Sequence, residues 1–104
     1  MNRDFFLEAV KMDVPIHTAS SLEKYILYGT QVGGFLYAYL SNDLAGALGR
    51  ADHKNLKAFV NIGRFLYNYA PSECWGEQEY VEKWIRKGGL DKADNNRGSS
   101  EDDK

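Results

Sequence analysis

One stretch limits the possible folds more than any other: residues 29–44, Gly-Thr-Gln-Val-Gly-Gly-Phe-Leu-Tyr-Ala-Tyr-Leu-Ser-Asn-Asp-Leu. A glycine-punctuated loop runs into residues 35–40, which are apolar all round. A helix without a polar face is normally one buried on every side. Asn42 and Asp43 are good caps for a fresh helical turn, so the chain should kink or break there rather than run on as one rod. A helix buried this way needs other helices around it. No segment of the chain alternates polar and apolar residues with period two, so nothing competes as a strand. The pattern predicts an all-α fold, a small helical bundle of four to six helices.

The neighbours of that stretch read as its packing partners. Residues 4–12 place Phe5, Phe6, Ala9 and Val10 at helical spacing, with Glu8 and Lys11 facing away. This helix should stop before Pro15, whose ring pushes Val14 out of the helical region. Thr18 or Ser20 is the expected cap of a second helix, and Glu23 lies three residues after Ser20, as a capping box requires. Leu22, Tyr25 and Ile26 form its buried stripe, and Gly29 is its left-handed terminator. Beyond the bend, Leu44, Ala47 and Leu48 continue an apolar face to Gly49.

The longest helix is expected over residues 53–69, capped by Asp52. It carries two apolar stripes. One is Leu56, Phe59, Val60, Gly63, Tyr67 and Ala70; the other is Ala58, Ile62, Phe65 and Tyr69. Between them runs a polar strip of Lys54, Lys57, Asn61, Arg64 and Asn68. A surface helix needs one apolar stripe. Two stripes imply either a central helix or one face inside the protomer and the other against a partner. In a chain this short the partner is favoured, and Ala58, Ile62, Phe65 and Tyr69 are the expected interface of a homo-oligomer. Ala70-Pro71 ends the helix, and residues 72–76 make a compact turn holding Cys74 and Trp75. A last helix over residues 77–87 turns Tyr80, Val81, Trp84 and Ile85 inward until Gly88-Gly89 stops it. From Asp91 onward five acids stand against three bases with no aromatic or aliphatic anchor beyond one alanine. The reading is one helical domain over residues 1–90 and a disordered acidic tail over 91–104.

Composition narrows the function. A net charge of -2 gives no electrostatic footprint for duplex nucleic acid or an anionic membrane. One cysteine excludes an internal disulfide and, with two histidines, argues against a structural zinc site. No apolar run approaches a membrane span or a signal peptide, so a cytoplasmic protein is expected. No cofactor motif, metal-ligand cluster or base–nucleophile pair stands out, and the chain is not read as an enzyme. The candidate ligand-binding residues are Gly33 and Gly34, whose backbone N–H groups can face an anion at a helix start or merely permit a tight turn, and Arg50 and Arg64, suited to phosphate or carboxylate. A salt bridge to Asp43 or Asp52 is the competing and favoured reading of Arg50. Asn61 and Asn68 flank Arg64. Trp75 can stack on a base or close one end of the bundle. Asp43 and Asp52 read as helix caps, each stabilising by ~1 kcal/mol.

The run Gly33-Gly34-Phe35-Leu36 through Asn42-Asp43-Leu44, then Arg50-Ala51-Asp52, Asn55, Tyr67-Asn68, Pro71 and Trp75-Gly76, resembles a family of small bacteriophage and prophage proteins. Val32 stands where that pattern usually has proline, and the likeness covers about residues 14–84. The resemblance implies a compact, non-catalytic effector acting in the host cytoplasm against antiviral defence. Such an effector would work by sequestering a small anionic nucleotide signal. The alternative is a protein-binding inhibitor or adaptor that engages a host defence or phage protein through an exposed helix face.

Overall fold

The computed structural model of the chain describes residues 4–91. Among the described residues the architecture is all-α, without strands. It comprises α1 (Phe5–Lys11), α2 (Ile16–Tyr28), α3 (Gly34–Leu40), α4 (Leu44–Arg50), α5 (His53–Lys57), α6 (Phe59–Tyr69) and α7 (Gln78–Lys87). A single 3-10 turn, Ser72–Cys74, joins α6 to α7. α1 packs on α2 and α3 on α4; α7 closes against the 3-10 turn and α3, and α6 against α1. Asp91 ends the last short turn, and the tail expected to be disordered lies, from residue 92, outside the described residues.

The centre of the bundle is α2. Leu22, Tyr25 and Ile26 are fully buried, and burial of side chains this size stabilises by about 1.5–3 kcal/mol each. Tyr25 also spends its polar groups on distant segments. Its hydroxyl donates to the Cys74 carbonyl at 2.6 Å, and its own carbonyl accepts the Trp84 indole N–H at 2.9 Å. One residue thereby holds the 3-10 turn and α7 against α2. Burial, before any neighbouring charge, pushes the Tyr25 phenol far above its usual pKa.

The glycine-led stretch is a structural hub, as its pattern predicts. Leu36, Ala38, Tyr39 and Leu40 of α3 are buried, and the rings of Phe35, Tyr39 and Phe59 cluster at centroid distances of 5.8, 6.3 and 4.8 Å. The Tyr39 hydroxyl donates to the Phe59 carbonyl, and the Leu40 carbonyl accepts the Gly76 N–H at 2.7 Å. The chain then bends. Asn42 adopts φ 66°, and Asp43 caps α4 by accepting the Gly46 N–H at 3.0 Å.

The ends of α2 and α7 meet backbone to backbone. Gly29 terminates α2 at φ 69° and Gly88 terminates α7 at φ 85°. Gly89 follows at φ 76°. A Cβ on Gly89 would lie 2.6 Å from the Gly29 nitrogen and the Leu27 carbonyl; one on Gly29 would lie 2.8 Å from the Trp84 oxygen. These glycines terminate two helices and let those ends touch.

Four expectations need correction. α2 begins at Ile16, with Pro15 in the cap position and no side-chain cap, so Thr18 and Ser20 lie inside the helix. Pro15 has no N–H to satisfy, and its carbonyl already accepts the Ala19 N–H at 2.8 Å, which lets the helix start about one turn before the place that Thr18 or Ser20 marks. Glu23, freed from a capping box, instead accepts the Phe6 N–H at 3.1 Å and satisfies the start of α1. Second, residues 53–69 are not one rod: Ala58, at φ -96° and ψ 11°, separates α5 from α6. Asp52 does cap this segment, accepting the Asn55 N–H at 2.8 Å, but the bend brings the segment count to seven α-helices. Third, Leu44 and Leu48 are about half exposed, and only Ala47 of that face is buried.

The fourth correction concerns assembly. Ala58, Ile62 and Phe65, expected at an interface between copies, are 4%, 0% and 0% exposed in the single chain. They line the chain's own core. Tyr69 stacks on Phe65 at 5.7 Å, and its hydroxyl meets the Glu8 carboxylate, which raises its pKa. Tyr69 is itself 42% exposed, and of the other stripe Leu56, Val60 and Tyr67 are 49%, 69% and 81% exposed whereas Phe59 and Ala70 pack against the core. No helix among the described residues is long and apolar enough to cross a membrane.

Candidate functional site

Two shallow clefts open side by side where α3 meets α4, and Gly34 and Arg50 line both. The first, about 280 Å³, is closed by His17, Thr18 and Ser21 of α2, by Phe35 and Leu36, and by Asp52 and Asn55. The second, about 470 Å³, is bounded by Val32, Tyr37, Ala38, Ser41, Asp43 and Gln78. Phe35 and Tyr37 are two residues apart on α3, and a step of that size sends side chains to opposite sides of a helix. Each cleft therefore receives one aromatic ring.

Arg50 sits on the ridge between the clefts, and local sequence explains its position. It is the last residue of α4, held one turn after Gly46 and across from Gly34. A Cβ on Gly34 would come 3.3 Å from the Arg50 Cδ, and one on Gly46 would come 3.0 Å from its Nη1. Both walls are bare, so the side chain can lie flat between α3 and α4. Its Nη1 donates to the Gly46 carbonyl at 3.2 Å. Among the described residues no carboxylate lies within ion-pair distance of the guanidinium, so the expected bridge to Asp43 or Asp52 is not made. Asp43 caps α4 through Oδ1, and its Oδ2 stands on the same side of Gly46 as the Arg50 Nη1, 2.3 Å and 3.0 Å respectively from the position of a Gly46 Cβ. Asp52 caps α5 and faces His17, whose Nε2 lies 3.8 Å from its carboxylate. Among the described residues Arg50 is thus a positioned cation with four of its five N–H donors unbonded.

The floor of the first cleft is polar and fixed. Thr18 and Asn55 are buried, and the Thr18 hydroxyl donates to the Asn55 side-chain oxygen at 2.6 Å. In the second cleft the Tyr37 hydroxyl donates to Glu82 and accepts from the Gln78 amide at 3.0 Å. The bond to Glu82 is the main reason that the Tyr37 pKa is raised.

Of the seven ligand-binding residues read from the sequence, the structure brings together Gly33, Gly34 and Arg50. Gly33 caps α3 in extended conformation and Gly34 is its first residue. α3 is only seven residues long, so few aligned peptide dipoles stand behind that helix start, and the charge of the site comes from Arg50. Arg64 and Asn68 are exposed on α6, with Asn61 half-buried beside them. None of these three lines either cleft. Trp75 packs against the core and is likewise apart from Arg50. The residues missed are His17, Ser21, Asn55, Tyr37 and Gln78. The spacing of His17 and Ser21 on one helix face was a usable signal, whereas the Thr18–Asn55 bond spans 37 positions and leaves none.

Nothing nearby is arranged as a nucleophile. Cys74 is buried, and burial pushes its thiol up to about 12. Among the described residues no hydrogen bond links Ser21 to His17, and no three metal-binding side chains converge. Comparison of the chain with protein-family models, with curated proteins and with solved structures returned no match.

Proposed function

We propose that the chain is a non-catalytic binding protein that captures a small anionic nucleotide on Arg50. Given the phage-type motif, it would withhold a nucleotide signal from host antiviral defence in the host cytoplasm. The observation that supports this reading is the guanidinium held between Gly34 and Gly46 with no carboxylate at ion-pair distance among the described residues, on the shared edge of two clefts. A planar, always-charged fork of donors is the side chain best suited to grip a phosphate in two bonds. Aromatic rings and amides on either side suit a nucleoside. Isothermal titration against linear and cyclic nucleotides tests it. Binding by the native chain, lost in a folded Arg50→Ala variant, supports the reading; silence across the panel refutes it.

A second reading rests on the outward face of α5 and α6. Leu56, Val60 and Tyr67 are exposed there beside Lys54, Lys57 and Arg64, and no acid occurs between Asp52 and Glu73. This face suits an acidic protein segment with apolar anchors, the chemistry of a host target for an inhibitor or adaptor. Pairing the same face between two copies would set like charges opposite one another. A defined target that binds the native chain and not Val60→Glu would favour this reading; unchanged binding by that variant would exclude the face.

A further inference from the structure

Arg50 serves two clefts rather than one, and the charges around it are unevenly matched. Asp52 borders the first cleft and Asp43 the second. A terminal phosphate monoester carries close to two negative charges at neutral pH. It would meet one guanidinium and two nearby carboxylates, a poor electrostatic match. A phosphodiester carries a single charge and has a substituent on each side. That is the symmetry of the site: one cation on a ridge, with a separate cleft to either hand.

The two clefts are furnished alike. The first offers the Phe35 ring with the Ser21 hydroxyl and the Asn55 amide; the second offers the Tyr37 ring with the Gln78 amide. We infer that the ligand is a phosphodiester joining two nucleoside-sized arms, with its phosphate on Arg50 and one arm in each cleft. This deepens the nucleotide-binding reading and rests on it. Phe35 and Tyr37 supply apolar faces for the two arms, while Gln78 and Asn55 supply edge-reading polar groups. Asp43 and Asp52 select against ligands with a doubly charged phosphate.

The test is calorimetric, with the full chain and three kinds of probe: inorganic phosphate, the four nucleoside 5′-monophosphates, and the four homodinucleoside monophosphates. The expected result is that at least one dinucleoside monophosphate binds about tenfold or more tightly than its own monophosphate, a clear step in affinity. Gln78→Ala, on the exposed start of α7, should erase much of that advantage, and Arg50→Ala should weaken both ligands with helicity unchanged. If monophosphates bind and no diester binds more tightly, the two-armed inference falls and the nucleotide-binding reading stands. If all probes are silent, both fall.

Discussion

Replacing Gly89 by alanine probes the contact on which the bundle closes. The substitution carries two separable costs. Gly89 has φ 76°, and holding an L-residue in that left-handed region costs roughly 1–2 kcal/mol. The new Cβ would also sit 2.6 Å from the Gly29 nitrogen and from the carbon and oxygen of the Leu27 carbonyl, all backbone atoms that cannot rotate aside. Overpacking of this kind adds about 1–3 kcal/mol, for a total of roughly 2–5 kcal/mol. That is a large fraction of the ~5–15 kcal/mol that holds a small domain together, and it corresponds to a fall in Tm of at least ~8 °C. Gly33→Ala is the control: its Cβ meets nothing within 4 Å and its φ is -71°. The loss of a better capping residue and the gain from a stiffer unfolded chain should nearly cancel, leaving a change within ~0.5 kcal/mol. Urea unfolding followed by circular dichroism measures both. Equal midpoints for the two variants would refute the claim that the ends of α2 and α7 lock the fold.

Phe65→Glu should unfold the chain rather than dissociate it, because an uncompensated charge at a fully buried site costs several kcal/mol; a folded, monomeric variant by circular dichroism and light scattering would contradict the core assignment. Asn55→Ala should cost about 1–3 kcal/mol by leaving the Thr18 hydroxyl without its acceptor. Thr18→Val in that background should recover part of the loss, and additive effects in urea unfolding would refute the coupling. The Cys74 pKa rises from an unfolded value of 9.0 to about 12 in the fold. Between those values the unfolded thiol ionises while the folded one keeps its proton, so stability should fall with rising pH, by up to ~1.4 kcal/mol per pH unit from this group. Cys74→Ala should flatten the profile above pH 9.0; an unchanged slope would remove Cys74 as its cause.

The parts of the fold legible in sequence were those written in local chemistry. Gly29, Asp43, Asp52 and Gly88 end or start helices where their backbone preferences place them, and Leu36, Ala38, Tyr39 and Leu40 are buried as their apolar stretch predicts, while Phe35 and Tyr37 are half-buried at the clefts. The long helix was harder. Its two stripes are similarly apolar, and the pattern alone assigns Ala58, Ile62, Phe65 and Tyr69 to an interface between copies, whereas the first three lie in the chain's own core. α1 packs against α6, and Ala58, Ile62 and Phe65 are buried while Val60 and Tyr67 stay in solvent. The candidate site divides in the same way. Gly33, Gly34 and Arg50 were found by residue type. Their separation from Arg64, Asn61 and Asn68 depends on how α4 folds back along α3, a tertiary fact with no trace in spacing. Asn55 lies in the first turn of α5, and its reach across to Thr18 places it in a cleft floor.

The central claim is that anion recognition belongs to Arg50 and not to the polar strip of α6. It is tested most directly by titrating a nucleoside phosphate into the ¹⁵N-labelled chain and following each backbone amide and arginine side-chain signal. The account predicts saturable shifts at Gly33, Gly34, Ser21, Asn55 and the Arg50 guanidinium, with the α6 signals unmoved. Shifts confined to Asn61, Arg64 and Asn68, with Arg50 silent, would contradict it.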